Sequence, residues 1–537
     1  MNDLHWAIDS FTRNNRTIFG YGWVFNKNKK INKVRFCLAA EPESFVDAEY
    51  NKARHDVGDY FKDNEYAGHS GFFVYGSLNK NFESEELKLA CYYDDNTFDL
   101  LDIPVKVINV TESTETPVIS KTVILKQSLV LIKRALNLLR SGNYRLLVDK
   151  IKRYKNKVPS KSLVNPDDLL KFLNKKEAKN IVFFLDHDLG GGANHYRERI
   201  VDKSIEQGKA CLILAFTVNT LSYKLIVESS KGKNVFNISG YDYVFQLLKF
   251  IKIKEIIYNT GVSFCNPETI PDFLINLKIK TNASLITLAH DLFPLCPSHF
   301  LINDKGNYCD IPDPSVCYSC LKNNTYGFTT LFESGDIKKW RDRWGNLLIA
   351  SDKIVSFSES TLNLYKRVYP QIDDDKTAVT PHKVDYLPQK AHITQTRDLR
   401  IGVVGQIGYH KGSRILQALS EEILQKKYNI EIIVIGAVEA SCPSEVVRQT
   451  GPYRHEELKM LLEENGINVI LFPSIWPETF SYVVQEMIEL GFPVASFNLG
   501  APAERLREYD KGVILSSMNP EIVVQELIDM HRKIYAK

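Results

Sequence analysis

The hydrophobic pattern changes character twice along the chain. As far as about residue 110, apolar residues come in short blocks or alternate: Thr17 to Phe25, Lys33 to Leu38, Gly71 to Tyr75 and Leu87 to Tyr93. Such patterning, bounded by polar turns like Asn26 to Lys30, predicts antiparallel strands. Residues 1–110 are therefore expected to form an all-β, sandwich-like domain. From 111 to 178 the period lengthens. Leu125, Leu129, Ile132, Leu136 and Leu139 recur at spacings of four and three, which marks one face of a helix. Ser141-Gly142-Asn143 breaks that helix, and a second is expected over Tyr144 to Tyr154. Beyond 179 the pattern is α/β. Asn180 to Leu185 reads as a buried parallel strand by composition, further strands are expected at Ala210 to Phe216, Glu255 to Tyr258 and Ser284 to Ala289, and Ala350 to Ser358 reads as a strand entering a helix. A polar linker, 386–397, separates them from a second set: Leu399 to Gly405, Glu431 to Ile435, Asn468 to Phe472 and Val494 to Phe497. The pattern thus predicts a β domain (1–110), a helical connector (111–178) and two α/β lobes (179–385 and 386–537), the last ending in a helix over Ile522 to Tyr535.

Composition narrows the classes of function. At 537 residues the chain has surface to bury several cores. Its 44% hydrophobic and 25% charged fractions are those of globular proteins, and a net charge of +3 gives no reason to expect nucleic acid as a partner. No run of 18 apolar residues is present, and the first ten residues carry Asp3 and Asp9 in place of an apolar signal core, so a cytoplasmic protein is expected. Charge is uneven in one place. Eleven Lys and Arg lie between Lys121 and Lys157 with one acid, Asp149. A basic amphipathic stretch of this kind suits an anionic bilayer surface, making the protein peripheral on the inner face of the membrane, or a solvated pair of interdomain helices.

The richest stretch is Phe472 to Arg505. Glu478 and Glu486 stand seven residues apart. Trp476-Pro477 stops the preceding strand, a helix is expected from about Phe480 to Leu490, and Gly491 sits where a helix-terminating glycine belongs. Eight helical positions span at most about 12 Å, roughly a nucleotide sugar from ribose to hexose. Free N–H groups at the helix start, Phe480, Ser481 and Tyr482, suit a diphosphate lying between the two carboxylates. The plainer reading is a solvated acidic helix after an ordinary loop Glu.

Other candidates lie at strand ends, where open α/β sheets bind ligands. Gly190-Gly191-Gly192 follows the first strand of the first lobe and lets backbone amides approach an anion; tight turns use glycines equally. His290-Asp291 ends the Ser284 to Ala289 strand, where His can polarise a hydroxyl or support developing charge and Asp291 can orient the loop. Cys296, Cys309, Cys317 and Cys320 have the count for a structural zinc site, although twelve residues separate the first pair. Four reduced thiols are the alternative. Trp6, Tyr21, Trp23 and Tyr60 of the β domain are expected either to fill its core or to stack on a sugar.

Taken together, Glu478-x7-Glu486 within FPSIWPETFSYVVQE and GAPAER, with the segment His290-Asp291-Leu292-Phe293-Pro294-Leu295-Cys296-Pro297, resembles retaining glycosyltransferases of family 4, and within them a bacterial surface-polysaccharide subgroup. The resemblance covers about residues 179–537. It implies the GT-B fold of two Rossmann-like lobes, here preceded by the β domain and connector, with a last helix that packs back across the first lobe. It implies a nucleotide-diphosphate sugar as donor, a glycan or lipid-linked glycan as acceptor, and transfer with no required cofactor. Glu478 and His290 would stand at the transfer centre, and Glu486 would hold the ribose. Gly405, Gly408, Lys411 and Gly412 would form the diphosphate loop, and Gly190, Gly191 and Gly192 would face the acceptor. Two positions depart from the pattern. Gln406 stands where Arg is usual, with Arg414, Arg454 or His455 as replacements, and Ser481 stands where Gly is usual. The competing readings are an epimerase or hydrolase of the same fold, and a glycan-binding protein without activity, which the loss at Gln406 favours.

Overall fold

A computed structural model of the chain describes residues 3–14, 17–52, 54–78, 82, 86–95, 97–104, 108–110, 160–162, 169–187, 190–217, 222–238, 240–264, 267–324, 326, 336–384, 386–387, 390–394 and 396–535. The basic stretch 121–158, with its expected helices and membrane surface, lies outside them.

The N-terminal part is built from β1 (Leu4–Asn14), β2 (Thr17–Asn26), β3 (Ile31–Leu38), β4 (Phe45–Lys52), β5 (Gly71–Ser77), β6 (Leu87–Tyr93), β7 (Phe98–Asp102) and β8 (Ile108–Val110). Their order is β7-β6-β3-β4-β5-β2-β1-β8. The sheet folds over at β4, whose first half pairs with β3 and whose second half pairs with β5. Alternate side chains of the two halves then meet. Phe36 of β3 lies 5.2 Å from the Phe11 ring of β1 and 5.6 Å from Phe72 of β5. This is a sandwich closed along one side by a shared strand. Of the four aromatics, Trp23 stacks on Phe25 and Trp6 packs against the core, while Tyr21 and Tyr60 are 42% and 82% exposed.

The first lobe has nine strands: β9 (Ser160–Ser162), β10 (Ile181–Leu185), β11 (Ala210–Thr217), β12 (Ser222–Ser229), β13 (Gly232–Ile238), β14 (Ile253–Tyr258), β15 (Ser284–Leu288), β16 (Lys353–Ser356) and β17 (Thr377–Val379). Their order is β17-β16-β15-β14-β10-β11-β12-β13-β9, parallel from β17 to β11. Successive residues of β10 go to opposite cores: Ile181, Phe183 and Leu185 to one face, Val182 and Phe184 to the other. Burial on both faces is why β10 contains no polar residue. The antiparallel hairpin of β12 and β13 extends the edge beyond the expected strands, and Leu169 and Leu173 join the same core.

The second lobe has β18 (Leu399–Ile407), β19 (Ile430–Val438), β20 (Val447–Gln449), β21 (Val469–Phe472), β22 (Val494–Phe497) and β23 (Gly512–Leu515), all parallel in the order β20-β19-β18-β21-β22-β23. The twin Rossmann-like lobes match the expectation. The last helix does not. Pro520–Tyr535 packs on the Ser413–Lys426 helix and on β23 of its own lobe. His531 and Tyr535 are held there by Asn468, which precedes β21. Among the described residues, no helix is long and apolar enough to cross a membrane.

Candidate functional site

The strand ends of the two lobes face each other across a cleft, and the Glu478 loop crosses it. After β21 the chain runs through Trp476-Pro477 to Glu478, Thr479 and Phe480. The helix begins two residues later than expected, at Tyr482, because the Ser481 hydroxyl accepts the Val484 N–H and acts as its N-cap. Gly491 ends it at φ 85°, a left-handed conformation that favours glycine. Ser481 therefore caps the helix with its side chain.

Glu478 is buried. Burial raises its pKa, opposed first by the charge of Lys411 and then by the Ser474 hydroxyl, which donates to Oε1 at 3.2 Å. The expected pair Glu478 and Lys411 is thus brought together. Thr479 donates its hydroxyl to the His290 carbonyl at 2.7 Å, and Phe480 packs on the first-lobe core patch that includes Phe357. Glu478 and His290 are therefore joined through one residue.

Glu486 is also buried, and burial raises its pKa. Tyr386 of the linker donates its hydroxyl to Oε1, and His455 Nε2 lies 3.3 Å from the same oxygen. Arg454 pairs with Glu457 on its own turn, and Arg414 lies 3.4 Å from Asp59 of the β domain. Neither contact is with Glu478 or Glu486. The β18 loop brings Gly405 (φ 114°) and Gly408 to the cleft end of the strand. Gly412 has φ 86°, and a Cβ there would run into the Pro473 carbonyl. Gln406 is exposed. His410 stacks on Phe300 of the first lobe at 4.1 Å, and burial and Lys411 lower its pKa to about 4.

From the first lobe, Gly190 and Gly191 have φ 83° and 90° and open space where a Cβ would stand. Gly192 begins the Gly192–Glu206 helix, and a Cβ there would meet the Tyr482 ring at 2.8 Å. Glycine is required where the two lobes approach this closely. His290 stacks on Phe357 at 4.2 Å, and burial holds its pKa well below the ordinary value. Asp291 accepts the Phe293 N–H and the Thr260 hydroxyl, which fixes the turn after His290. Burial raises its pKa to about 6.

Sequence reasoning gave no role to His382, Phe357, Tyr196 or Tyr386, which complete the cleft. Phe357 and His382 stack at 4.0 Å, His382 and Tyr482 at 5.2 Å, and Tyr196 meets His290, Phe357 and His382 edge-on. The four cysteines are free thiols; burial, and then the neighbouring Cys309, raises the pKa of Cys296. Among the described residues, no group of three or more His, Cys, Asp or Glu is arranged to hold a metal ion, while Cys309, Cys317 and Cys320 all lie close enough to Cys296 to raise its pKa.

Residues 389–532 match the family model of glycosyl transferases group 1, so the second lobe carries that segment. No curated protein matches the chain. Similar solved structures include Anabaena HepE in complex with UDP and glucose, at 13% identity and TM-score 0.42, covering 66% of this chain and 94% of that one. The catalytic domain of starch synthase IV from Arabidopsis thaliana, bound to ADP and acarbose, is similar at 9% identity and TM-score 0.40, covering 66% and 92%. S. aureus TarM in complex with UDP and sugar ligands is similar at 13% identity and TM-score 0.37, covering 60% and 57%.

Proposed function

We propose that the protein is a retaining glycosyltransferase that moves a sugar from a nucleoside diphosphate sugar to a glycan or lipid-linked glycan in cell-surface polysaccharide assembly. The observation that carries this reading is the buried Glu478 beside Lys411, in a segment that matches group 1 glycosyl transferases, with Thr479 bonded to His290 across the cleft. The donor lies along the second lobe. Glu486 takes ribose hydroxyls after sharing or releasing Tyr386. The N–H groups opening the Tyr482–Leu490 helix and the Lys411 ammonium face the diphosphate. Glu478 accepts hydroxyls of the sugar. The acceptor enters past Gly190 and Gly191.

In the transfer step the bond from anomeric carbon to diphosphate oxygen breaks, and the acceptor oxygen bonds to the same face of that carbon. The acceptor proton passes to the departing phosphate oxygen. Lys411 and the helix dipole offset the charge that develops there. The aromatic wall of Phe357, His382, Tyr196 and Phe480 keeps water from the carbon. The cytoplasmic face of the membrane is the setting that this acceptor class requires.

Glu478→Gln tests the assignment. Transfer from a panel of UDP-, GDP- and ADP-sugars is expected to fall at least about 100-fold. Thermal stability is expected to hold or rise, because burial already disfavours the ionised carboxylate. A folded variant with the wild-type rate would overturn it. The exposed Gln406, with Arg414 paired to Asp59, favours one second reading, a lobe that has lost donor binding. Absence of a thermal shift with every nucleoside diphosphate and its sugars would select that reading.

A further inference from the structure

Three buried polar atoms in the cleft have no hydrogen-bond partner: His290 Nε2, His382 Nδ1 and the Tyr482 hydroxyl. A buried donor or acceptor left unmet costs about 1–3 kcal/mol, so three on the His382 ring and two rings stacked within 5.4 Å of it call for a ligand. Two belong to residues already placed at the site. His382 does not.

His382 lies just after β17 and is 7% exposed. Its ring is held by aromatic neighbours from both lobes. It runs parallel to Phe357 at 4.0 Å, to Tyr482 at 5.2 Å and to His290 at 5.4 Å, where the rings are 4° apart. Tyr196 at 4.9 Å and Phe480 at 4.6 Å close it edge-on. A ring packed this way cannot turn its free nitrogen toward solvent without breaking the stack.

The chemistry of the pocket selects the ligand. Burial, and then the charge of Arg199, lowers the pKa of His382 to about 3, so the imidazole is neutral. A phosphate would call for a cation. A neutral imidazole offers one donor and one acceptor nitrogen, which suits a hydroxyl, itself both donor and acceptor.

We infer that His382 is a second sugar-binding histidine whose Nδ1, beside Nε2 of His290, hydrogen-bonds a hydroxyl of the sugar in the cleft. This rests on the proposed function. The hydroxyl belongs to the donor sugar or to the acceptor, and the test separates the two.

His382→Phe keeps the ring and removes both nitrogens. If Nδ1 waits for a hydroxyl, the variant melts higher than wild type without ligand, because an unmet polar atom has gone. Its kcat/KM is then expected to fall tenfold or more. His382→Asn, which returns a polar group near Nδ1, is expected to recover part of that loss while melting lower. Calorimetry with UDP and UDP-glucose, or with the base that the panel selects, assigns the source. Weaker binding of the nucleotide sugar with unchanged binding of the nucleotide marks a donor contact. Unchanged binding of both with a raised acceptor KM marks an acceptor contact. A folded Phe variant with wild-type kcat/KM and both affinities intact overturns the inference while leaving the transferase reading in place. A wild-type protein that binds no nucleotide sugar overturns that reading, and this inference with it.

Discussion

Mild acid should loosen the cleft, and the size of the effect follows from its histidines. His382 is held at about 3 against an ordinary 6.5. Below pH 6.5 the unfolded chain takes up a proton that the native ring refuses. Its contribution to stability is therefore full above pH 6.5 and is lost as pH falls, by about 1.4 kcal/mol per pH unit down to its native value. Between pH 7.5 and 5.5 the loss is about 1.4 kcal/mol. His410, held at about 4, loses as much over that interval, and His290 shifts in the same direction. Asp291 opposes them. Its raised value of about 6 means that the native state keeps a proton the unfolded chain releases, so it returns just under 1 kcal/mol over the same interval. Burial also raises Glu478 and Glu486, and these act with Asp291. Urea unfolding at pH 7.5 and 5.5 measures the sum, and His382→Phe isolates one histidine. The variant is expected to lose about 1.4 kcal/mol less than wild type on acidification. Equal losses, or an His382 imidazole resonance that titrates near 6.5, would refute a neutral, sealed ring.

Two further substitutions test how the cleft is held. The Glu504 carboxylate of the second lobe accepts the Glu359 and Ser360 N–H groups, which open the Glu359–Val368 helix of the first lobe. Glu504→Gln is expected to lower stability by about 1 kcal/mol and to reduce transfer while leaving nucleotide affinity unchanged, as read by calorimetry. Gly412→Ala is expected to displace the Lys411 turn, because its Cβ would meet the Pro473 carbonyl, and nucleoside diphosphate affinity should fall at least tenfold.

The hydrophobic pattern was most legible where burial is complete. β10, β15 and β22 are apolar or nearly so, and each lies within a residue or two of its expected run. Glu478 and Glu486 were legible because one helix and its preceding loop carry both, so their spacing in sequence constrains their spacing in space. β1 was missed because polar residues, His5, Asp9, Ser10, Thr12 and Arg13, interrupt its apolar ones and obscure the run. The hairpin of β12 and β13 was missed too: Tyr223, Leu225 and Val227 face one core, but Ile226 between them is buried in the other and breaks the alternation. His382 and Tyr386 had no such signal. They lie in irregular chain after β17, with no period, and their neighbours come from 25 to 186 positions away in sequence, with Phe357 and Tyr196, both against His382, at the two extremes. Four cysteines within 25 residues suggested zinc, and the fold brings Cys309, Cys317 and Cys320 near Cys296 as free thiols.

The β domain touches both lobes close to the turn that carries Lys411. Lys52 donates to the Asn324 carbonyl of the first lobe at 3.2 Å, His69 meets Tyr326 at 5.9 Å, and Asp59 reaches Arg414 of the second. Tyr326 in turn packs on Tyr409, whose hydroxyl donates to the Gly306 carbonyl across the cleft. The turn that carries His410 and Lys411 is therefore bounded by all three parts of the chain. The ion pair of Asp59 with Arg414, which links the β domain to the second lobe, is partly exposed, worth at most about 1 kcal/mol and weakened by salt. The link between the lobes is stronger, combining the stacked Phe300 and His410, the Thr479 to His290 bond and the Glu504 cap. The contacts that fix Glu478 and His290 relative to each other therefore come from the two lobes, and the β domain adds its contacts at the turn that carries Lys411.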